Sequence, residues 1–488
     1  MSKIFQREEK FYMDAFADTL GRVGAAFGQN KYLNAIKNAF QNFMPATISG
    51  AIGVLWTNVL VNSSTGLGAL WKPIMALEVL NPIFSAMQYA TISCITIGVT
   101  MLLAQEIANA NGETGAYPAL LGFILWLMVT PTSANITSLA ISGVDKAGKN
   151  IGLSLTQYID FGKIVKDFNA LNPASPLTEV NGGNFSWSGI FSSYTGATGL
   201  FTGLIVAIVG LEIYNLFRKN DALKIKMPEQ VPPGVAKAFE VLIPTALTCI
   251  VIGAIGLICQ LVTKAELNAL IYNSVQAPLQ KLVGDNIIAV CIMYVIIMLF
   301  WCVGIHGNNM LAAVKEPIFR PLLYANVAAY TSKQAIPNVM NLTMLQMFAE
   351  FGGSGVTIGL VIAIFIFGRR EDNRTIAGIS VVPGLFNINE TMTFGIPLVL
   401  NPILDIPFIF APVITMIVGW ILVSSGFCPK IVIEVPWTMP PVILGFLATG
   451  GNIMGAISQL IVVAVSVVVY IPFLIAYESY QNKQAAAE

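Results

Sequence analysis

Nine stretches of the chain, near 43–62, 84–108, 117–140, 196–217, 240–263, 285–304, 355–368, 403–425 and 457–476, are apolar over roughly the length a bilayer demands. A hydrocarbon core about 30 Å thick takes about 20 apolar residues of helix, because each residue advances the axis by about 1.5 Å. Only 11% of the 488 residues are charged, whereas a soluble domain carries roughly 25% to wet its surface. Lipid is the solvent that such a surface fits. Backbone amides in lipid must be satisfied within the segment, so the expected fold is an all-α polytopic membrane protein.

Three further segments, 308–350, 375–402 and 436–456, are too apolar for loops and too interrupted by Pro and Gly for simple spans. Non-helical backbone at membrane depth survives only where protein or a wet cavity satisfies it, so broken apolar segments point to a transporter's binding site. All three lie in the second half.

Lysine and arginine set the orientation. The stretch 218–239 holds Arg218, Lys219, Lys224, Lys226 and Lys237, and 369–374 reads RREDNR, so both are expected on the cytoplasmic side. Residues 1–41 carry Arg7, Lys10, Arg22, Lys31 and Lys37 and lack the apolar h-region of a signal peptide. Tyr12, Phe16, Leu20, Val23 and Phe27 recur there at helical spacing, which predicts a cytoplasmic amphipathic segment lying on the membrane surface. The division that follows is 1–41 as that segment and 42–217 as an N-terminal scaffold half with a polar, external insertion at 143–192. A cytoplasmic linker at 218–239, a sugar-binding transport half at 240–478 and a cytoplasmic tail at 479–488 complete it.

Composition also narrows the chemistry. Lys plus Arg and Asp plus Glu number 26 each, so no bulk charge points to nucleic acid. The six cysteines are scattered through mostly apolar runs with no CxxC pair and no neighbouring His, so no metal site is expected and the thiols read as packing groups. GGSG at 352–355 and TGGN at 449–452 lack the GK[ST] ending of a phosphate-cradling loop, so no ATP site and no cofactor is expected.

What remains is a small set of polar residues in apolar surroundings. His306, in WCVGIHGNN, is the chain's sole histidine. Ionisable groups inside a membrane domain are costly and usually functional, although a core histidine bonded to a carbonyl is the plain alternative. The flanking Gly304 and Gly307 are expected to let a ligand approach the backbone. Glu390 follows Asn387 and Asn389 in a Pro- and Gly-bounded segment, and a carboxylate beside amides suits sugar hydroxyls. A proton-carrying glutamate and a structural cap are the other readings of the same residues. Trp301 and Trp437 offer indole faces for sugar C–H surfaces, or belong to an interfacial aromatic belt. Lys315, Glu316 and Arg320 read as mutually paired charges inside the protein or at its cytoplasmic face, with a role in releasing an anionic product as the alternative.

Taken in order, GQNKYLNAIKNAFQNFMPATISG, KIKMPEQVPPGVAKAF, FWCVGIHGNN, GGSGVTIGL, PGLFNINETMTFGIPLVLNPILDIPF and VPWTMPPVILGFLATGGNIMGAI resemble the enzyme IIC permeases of the lactose/cellobiose/N,N′-diacetylchitobiose family of bacterial sugar phosphotransferase systems. The resemblance covers nearly the whole chain. It implies about ten transmembrane helices with re-entrant hairpins, a homodimer joined by the N-terminal half, and a mobile C-terminal transport domain in the bacterial plasma membrane. It places the family's GxHG histidine on His306 and its NxNE glutamate on Glu390, both as catalytic and sugar-binding residues. Asn387 and Asn389 join them as sugar-binding, and Trp301 and Trp437 match its ring-stacking positions. The implied partner is a separate IIB protein that donates phosphate from a phosphocysteine, since no IIA or IIB domain is expected within this chain.

Three features depart from the family's pattern: the length of 143–192, the Lys315–Glu316–Arg320 cluster, and Thr391 where proline often follows the glutamate. They bear on which sugar is carried, not on the class. An ion-coupled symporter using Glu390 and His306 as proton sites, and a permease-like sensor, are the competing functions.

Overall fold

A computed structural model describes residues 18–26, 28–63, 66–144, 150–156, 181–190, 192–228, 230–284 and 286–486. Within them the membrane-embedded body is helical. Five helices are long and apolar enough to cross a bilayer, and eight spans result if each of three bent helix pairs counts as one.

The first half packs α1 (Lys31–Leu55) and α3 (Tyr117–Met128) against α2 (Ile95–Ala110), which also receives α4 (Leu200–Arg218). Its core is built from residues such as Ile95, Leu103, Leu121, Leu125 and Trp126, all fully buried. The first span starts well before residue 43. Asn30 accepts from the amides of Tyr32 and Leu33, so the helix begins at Lys31 and the polar residues 31–41 form its opening turns. Of the amphipathic pattern, Leu20 and Val23 lie in a helix over 18–26, while Tyr12, Phe16 and Phe27 lie outside the described residues.

The apolar stretch 117–140 is not one span. Its helix stops at Met128, before Thr130-Pro131-Thr132, because Pro131 has no amide to continue the ladder. The chain then turns into β1 (Ser133–Val144), which pairs antiparallel with β2 (Asn150–Thr156) and β3 (Asn181–Ser188). The end of the apolar stretch and the polar stretch 143–192 together therefore form a three-stranded sheet in the order β2-β1-β3, a departure from a purely helical chain. Residues 145–149, 157–180 and 191 of that stretch lie outside the described residues.

The second half runs α5 (Leu242–Thr263), α6 (Ile287–Cys302), α7 (Gly307–Thr331), α8 (Leu342–Ala349) and α9 (Ile358–Phe367). It continues through α10 (Glu371–Leu385), α11 (Glu390–Gly395), α12 (Asp405–Ser424), α13 (Ile443–Ala448) and α14 (Ile453–Ala485). Helix α14 packs on α9 and α12, α6 packs on α12, and α7 reaches across to α1. The three segments expected to be broken are broken. The segment 308–350 is divided at 332–341, between the end of α7 and the start of α8. The segment 375–402 holds α10 and the six-residue α11, and 436–456 holds only α13 before α14 begins. Side chains cap the exposed amides where helices restart: Asn286 for α6, His306 for α7, Asn341 for α8 and Asn452 for α14.

Candidate functional site

The starts of α7 and α11, with the turns packed beside them, line one cavity of about 440 Å³, within the range of roughly 300–1,000 Å³ that small-molecule sites occupy. Its walls come from the start of α7 (His306, Asn308, Asn309, Lys315), the end of α8 (Gln346, Glu350), the 352–355 turn (Gly353, Ser354), the α10–α11 connection (Asn387 to Glu390) and Trp437. Helix α1 closes it with Lys37, Gln41 and Met44. The cavity thus lies on the seam between the two halves.

His306 is placed by two glycines, though not for the reason expected. Gly304 takes φ +80°, a left-handed turn that swings the chain from α6 into α7. At Gly307 an added Cβ would stand 2.0 Å from the carbonyl oxygen of Ile297, so only glycine lets α7 start against α6. Both glycines are spent on the turn itself. The imidazole accepts the Asn309 amide at Nδ1, 3.2 Å away, and so caps α7. An amide can only donate, so neutral His306 carries its proton on Nε2 and presents a donor to the cavity.

Glu390 heads α11, is exposed to the cavity, and has no hydrogen-bond or ion-pair partner among the described residues. It is a free carboxylate. Trp437, 43% exposed, lines the same space with its indole.

The two asparagines beside Glu390 line the cavity but are largely engaged. Asn387 takes the left-handed φ of +62°, accepts from the Gly352 amide at 2.6 Å, and donates to the carbonyls of Trp437 at 2.5 Å and Met439 at 3.0 Å. Asn389 donates to the Ser354 carbonyl at 2.8 Å and to the Thr393 hydroxyl at 3.0 Å. A Cβ on Gly353 would stand 2.5 Å from that of Asn389, so the glycine lets the two turns touch. These amides staple together the broken segments that carry the site. Trp301 does not line the cavity. It is 2% exposed and packs 4.5 Å from the imidazole, ring centre to ring centre, supporting His306 from behind.

Sequence reasoning missed several lining groups. Glu350 is the sole charge between Lys333 and Arg369, a signal as plain as that of Glu390. Its Oε1 accepts from Lys315 at 2.6 Å and from the Tyr294 hydroxyl at 2.8 Å. Asn308 Oδ1 and Gln346 Oε1 are buried acceptors without a partner among the described residues, which suits ligand O–H donors. The expected mutual pairing of Lys315, Glu316 and Arg320 is half right. Arg320 holds Glu316 at 2.6 Å, while Lys315 turns to Glu350 instead. No group of three or more His, Cys, Asp or Glu side chains among the described residues could hold a metal ion.

The sequence pattern of the family described as "Phosphotransferase system, EIIC" matches residues 37–412, more than half of the chain. The chain belongs to the phosphotransferase-system EIIC family. It is similar to the oligo-β-mannoside-specific EIIC component of Bacillus subtilis strain 168, at 29% identity over 96% of this chain and 95% of that one. The cellobiose-specific EIIC component of Lactococcus lactis subsp. lactis strain IL1403 is 30% identical over 95% of this chain and 97% of its own length. The fold matches the crystal structure of the transporter ChbC, the IIC component from the N,N′-diacetylchitobiose-specific phosphotransferase system, with a TM-score of 0.80 at 26% identity. That match covers 96% of this chain and 98% of the other. EIIC membership makes the chain a multi-pass membrane sugar permease and supports group translocation over ion-coupled symport.

Proposed function

We propose that this EIIC chain binds a β-linked disaccharide in the His306–Glu390 cavity and presents one of its hydroxyls to a phosphocysteine on a separate IIB protein. The observation that carries the reading is the pairing of an unengaged carboxylate, Glu390, with a donor-bearing imidazole, His306, in a cavity walled by amides and one open indole. Trp437 packs on a sugar face, and Asn308 and Gln346 accept from hydroxyls. Asn387 and Asn389 contribute mainly by holding the two turns in place. Trp301 acts through the histidine it supports.

In the transfer step the sugar hydroxyl oxygen attacks phosphorus. The S–P bond breaks with its electron pair left on the cysteine thiolate, an O–P bond forms, and the hydroxyl proton passes to Glu390. His306 cannot take that proton at Nε2, which already bears one, so its part is to orient the acceptor oxygen by donating to it. About ten spans with re-entrant hairpins, cytoplasmic termini and linker, a homodimer formed through the N-terminal half and a mobile transport half complete the proposal.

His306→Gln keeps a donor but loses the fixed ring. Transfer is expected to fall by roughly 10–100-fold, the worth of a hydrogen bond to a charged or charging group, with sugar affinity changed by only a few-fold. Parallel losses in a single-turnover transfer assay and in equilibrium binding would make His306 a binding contact only.

Inverted vesicles supplied with sugar and phosphorylated IIB test the function as a whole. Sugar phosphate should appear, and an uncoupler that collapses the proton gradient should leave its formation intact. Unmodified sugar moving only while the gradient lasts would establish symport instead.

A further inference from the structure

The ionic groups of the cavity are Lys37, Lys315, Glu316, Glu350 and Glu390. Two of the carboxylates are already matched: Glu316 by Arg320 at 2.6 Å, and Glu350 by Lys315 at 2.6 Å. That leaves one carboxylate and one ammonium without an ion-pair partner among the described residues, Glu390 and Lys37. Lys37 is half-buried in the second turn of α1, where an unpaired ammonium has lost part of its hydration. A neutral sugar does not call for it. The amides, the carboxylates and the imidazole serve the hydroxyls, and a sugar hydroxyl carries no charge that would compensate a lysine. A phosphoryl group does.

We propose that Lys37 is the phosphate-binding cation of the cavity, the counterpart of Glu390 across the same space. This rests on the group-translocation reading and deepens it. A phosphoryl dianion brought next to ionised Glu390 and Glu350 meets repulsion. Phosphoryl transfer depends almost wholly on positioning and on charge placed around the non-bridging oxygens. Lys37 supplies that charge from α1 and Glu390 receives the hydroxyl proton from α11, so the cavity is bipolar along the direction of transfer. Lys315 assists. Its ammonium has three donors and Glu350 is its one hydrogen-bond partner among the described residues, so it can turn another donor to the phosphate without releasing its carboxylate. Lys37 stands near the end of α1 that is proposed to face the cytoplasm, the side from which the phosphocysteine arrives.

The test uses the full chain in lipid nanodiscs, with cellobiose and cellobiose monophosphate as ligands and phosphorylated IIB as donor. Among the described residues no carboxylate pairs with Lys37, so Lys37→Gln strands none of them and the fold should be kept. Cellobiose affinity should stay within about 3-fold, while cellobiose monophosphate binds roughly 10–100-fold more weakly and single-turnover transfer slows by a similar factor. Lys37→Arg should restore most of both losses. In the wild type, added salt should weaken binding of the phosphate ester and spare that of cellobiose. If Lys37→Gln loses both ligands equally, or transfers phosphate at the wild-type rate, the assignment is wrong. A wild-type chain that binds cellobiose but yields no sugar phosphate defeats the translocation reading itself, and the assignment with it.

Discussion

Glu390→Gln is expected to slow phosphoryl transfer by about 10²–10⁴-fold, the range a positioned general base supplies, and to weaken sugar binding by about 1.5–3 kcal/mol. Both effects come from one property. The carboxylate heads α11, opens onto the cavity and is held by nothing else among the described residues, so its charge is available to the ligand. Glutamine has nearly the same shape and can still donate and accept, but it cannot take a proton. No partner among the described residues is stranded by the change, so the variant should fold and insert as the wild type does. Single-turnover transfer from phosphorylated IIB and equilibrium sugar binding separate the two losses. Wild-type values in both assays would remove Glu390 from the site. A loss of affinity with no loss of transfer rate at saturating sugar would leave it a binding residue and require another base.

Much of this site could be read from the sequence, because in an apolar chain a polar residue stands out against its background. His306 and Glu390 were legible for that reason, and the Pro- and Gly-broken segments that carry them were legible from hydropathy alone. Glu350 was equally isolated, yet it precedes a glycine-rich turn and its value shows only once Lys315 and Tyr294 are seen to hold it. Direction was harder to read than identity. Asn387 and Asn389 are polar residues in the right place, but their amides point mainly into neighbouring backbone, which no spacing rule reveals. Trp301 lies at the right distance along the chain and on the wrong side of the imidazole to line the cavity. Lys37 counted toward a cytoplasmic N-terminus, since charge in sequence reports a side of the membrane and not a face of a helix. The stretch 117–140 reads as one span because average hydropathy does not register that Pro131 ends a helix, or that SANIT at 133–137 alternates polar and apolar residues as a strand does.

The buried charges beside the cavity show how the seam between the halves is held. Arg320 is almost wholly enclosed, with 5% of its side chain exposed, and its guanidinium meets Glu316, Glu434 and the Tyr324 hydroxyl at once. Tyr324 in turn donates to Glu434 at 2.7 Å, and Glu434 accepts from Thr47 of α1 at 3.4 Å. The guanidinium carbon also lies 5.7 Å from the centre of the Phe40 ring on α1. One arginine therefore ties α7 to the 427–441 connection and to the first helix.

Removing it leaves Glu434 buried with only the Tyr324 and Thr47 hydroxyls as donors, and Glu316 unpaired at the cavity wall. Arg320→Met should cost about 3–5 kcal/mol of stability, the usual penalty for breaking a buried ion pair on one side. The double variant Arg320→Met/Glu434→Gln should recover part of that loss, because the more deeply enclosed of the two stranded charges is gone. Thermal unfolding of the detergent-solubilised chain, followed by tryptophan fluorescence, gives both numbers. Simple additivity of the two single variants would show that Arg320 and Glu434 do not depend on each other. An Arg320→Met variant as stable as the wild type would mean that water reaches the cluster and that the seam is held by packing alone.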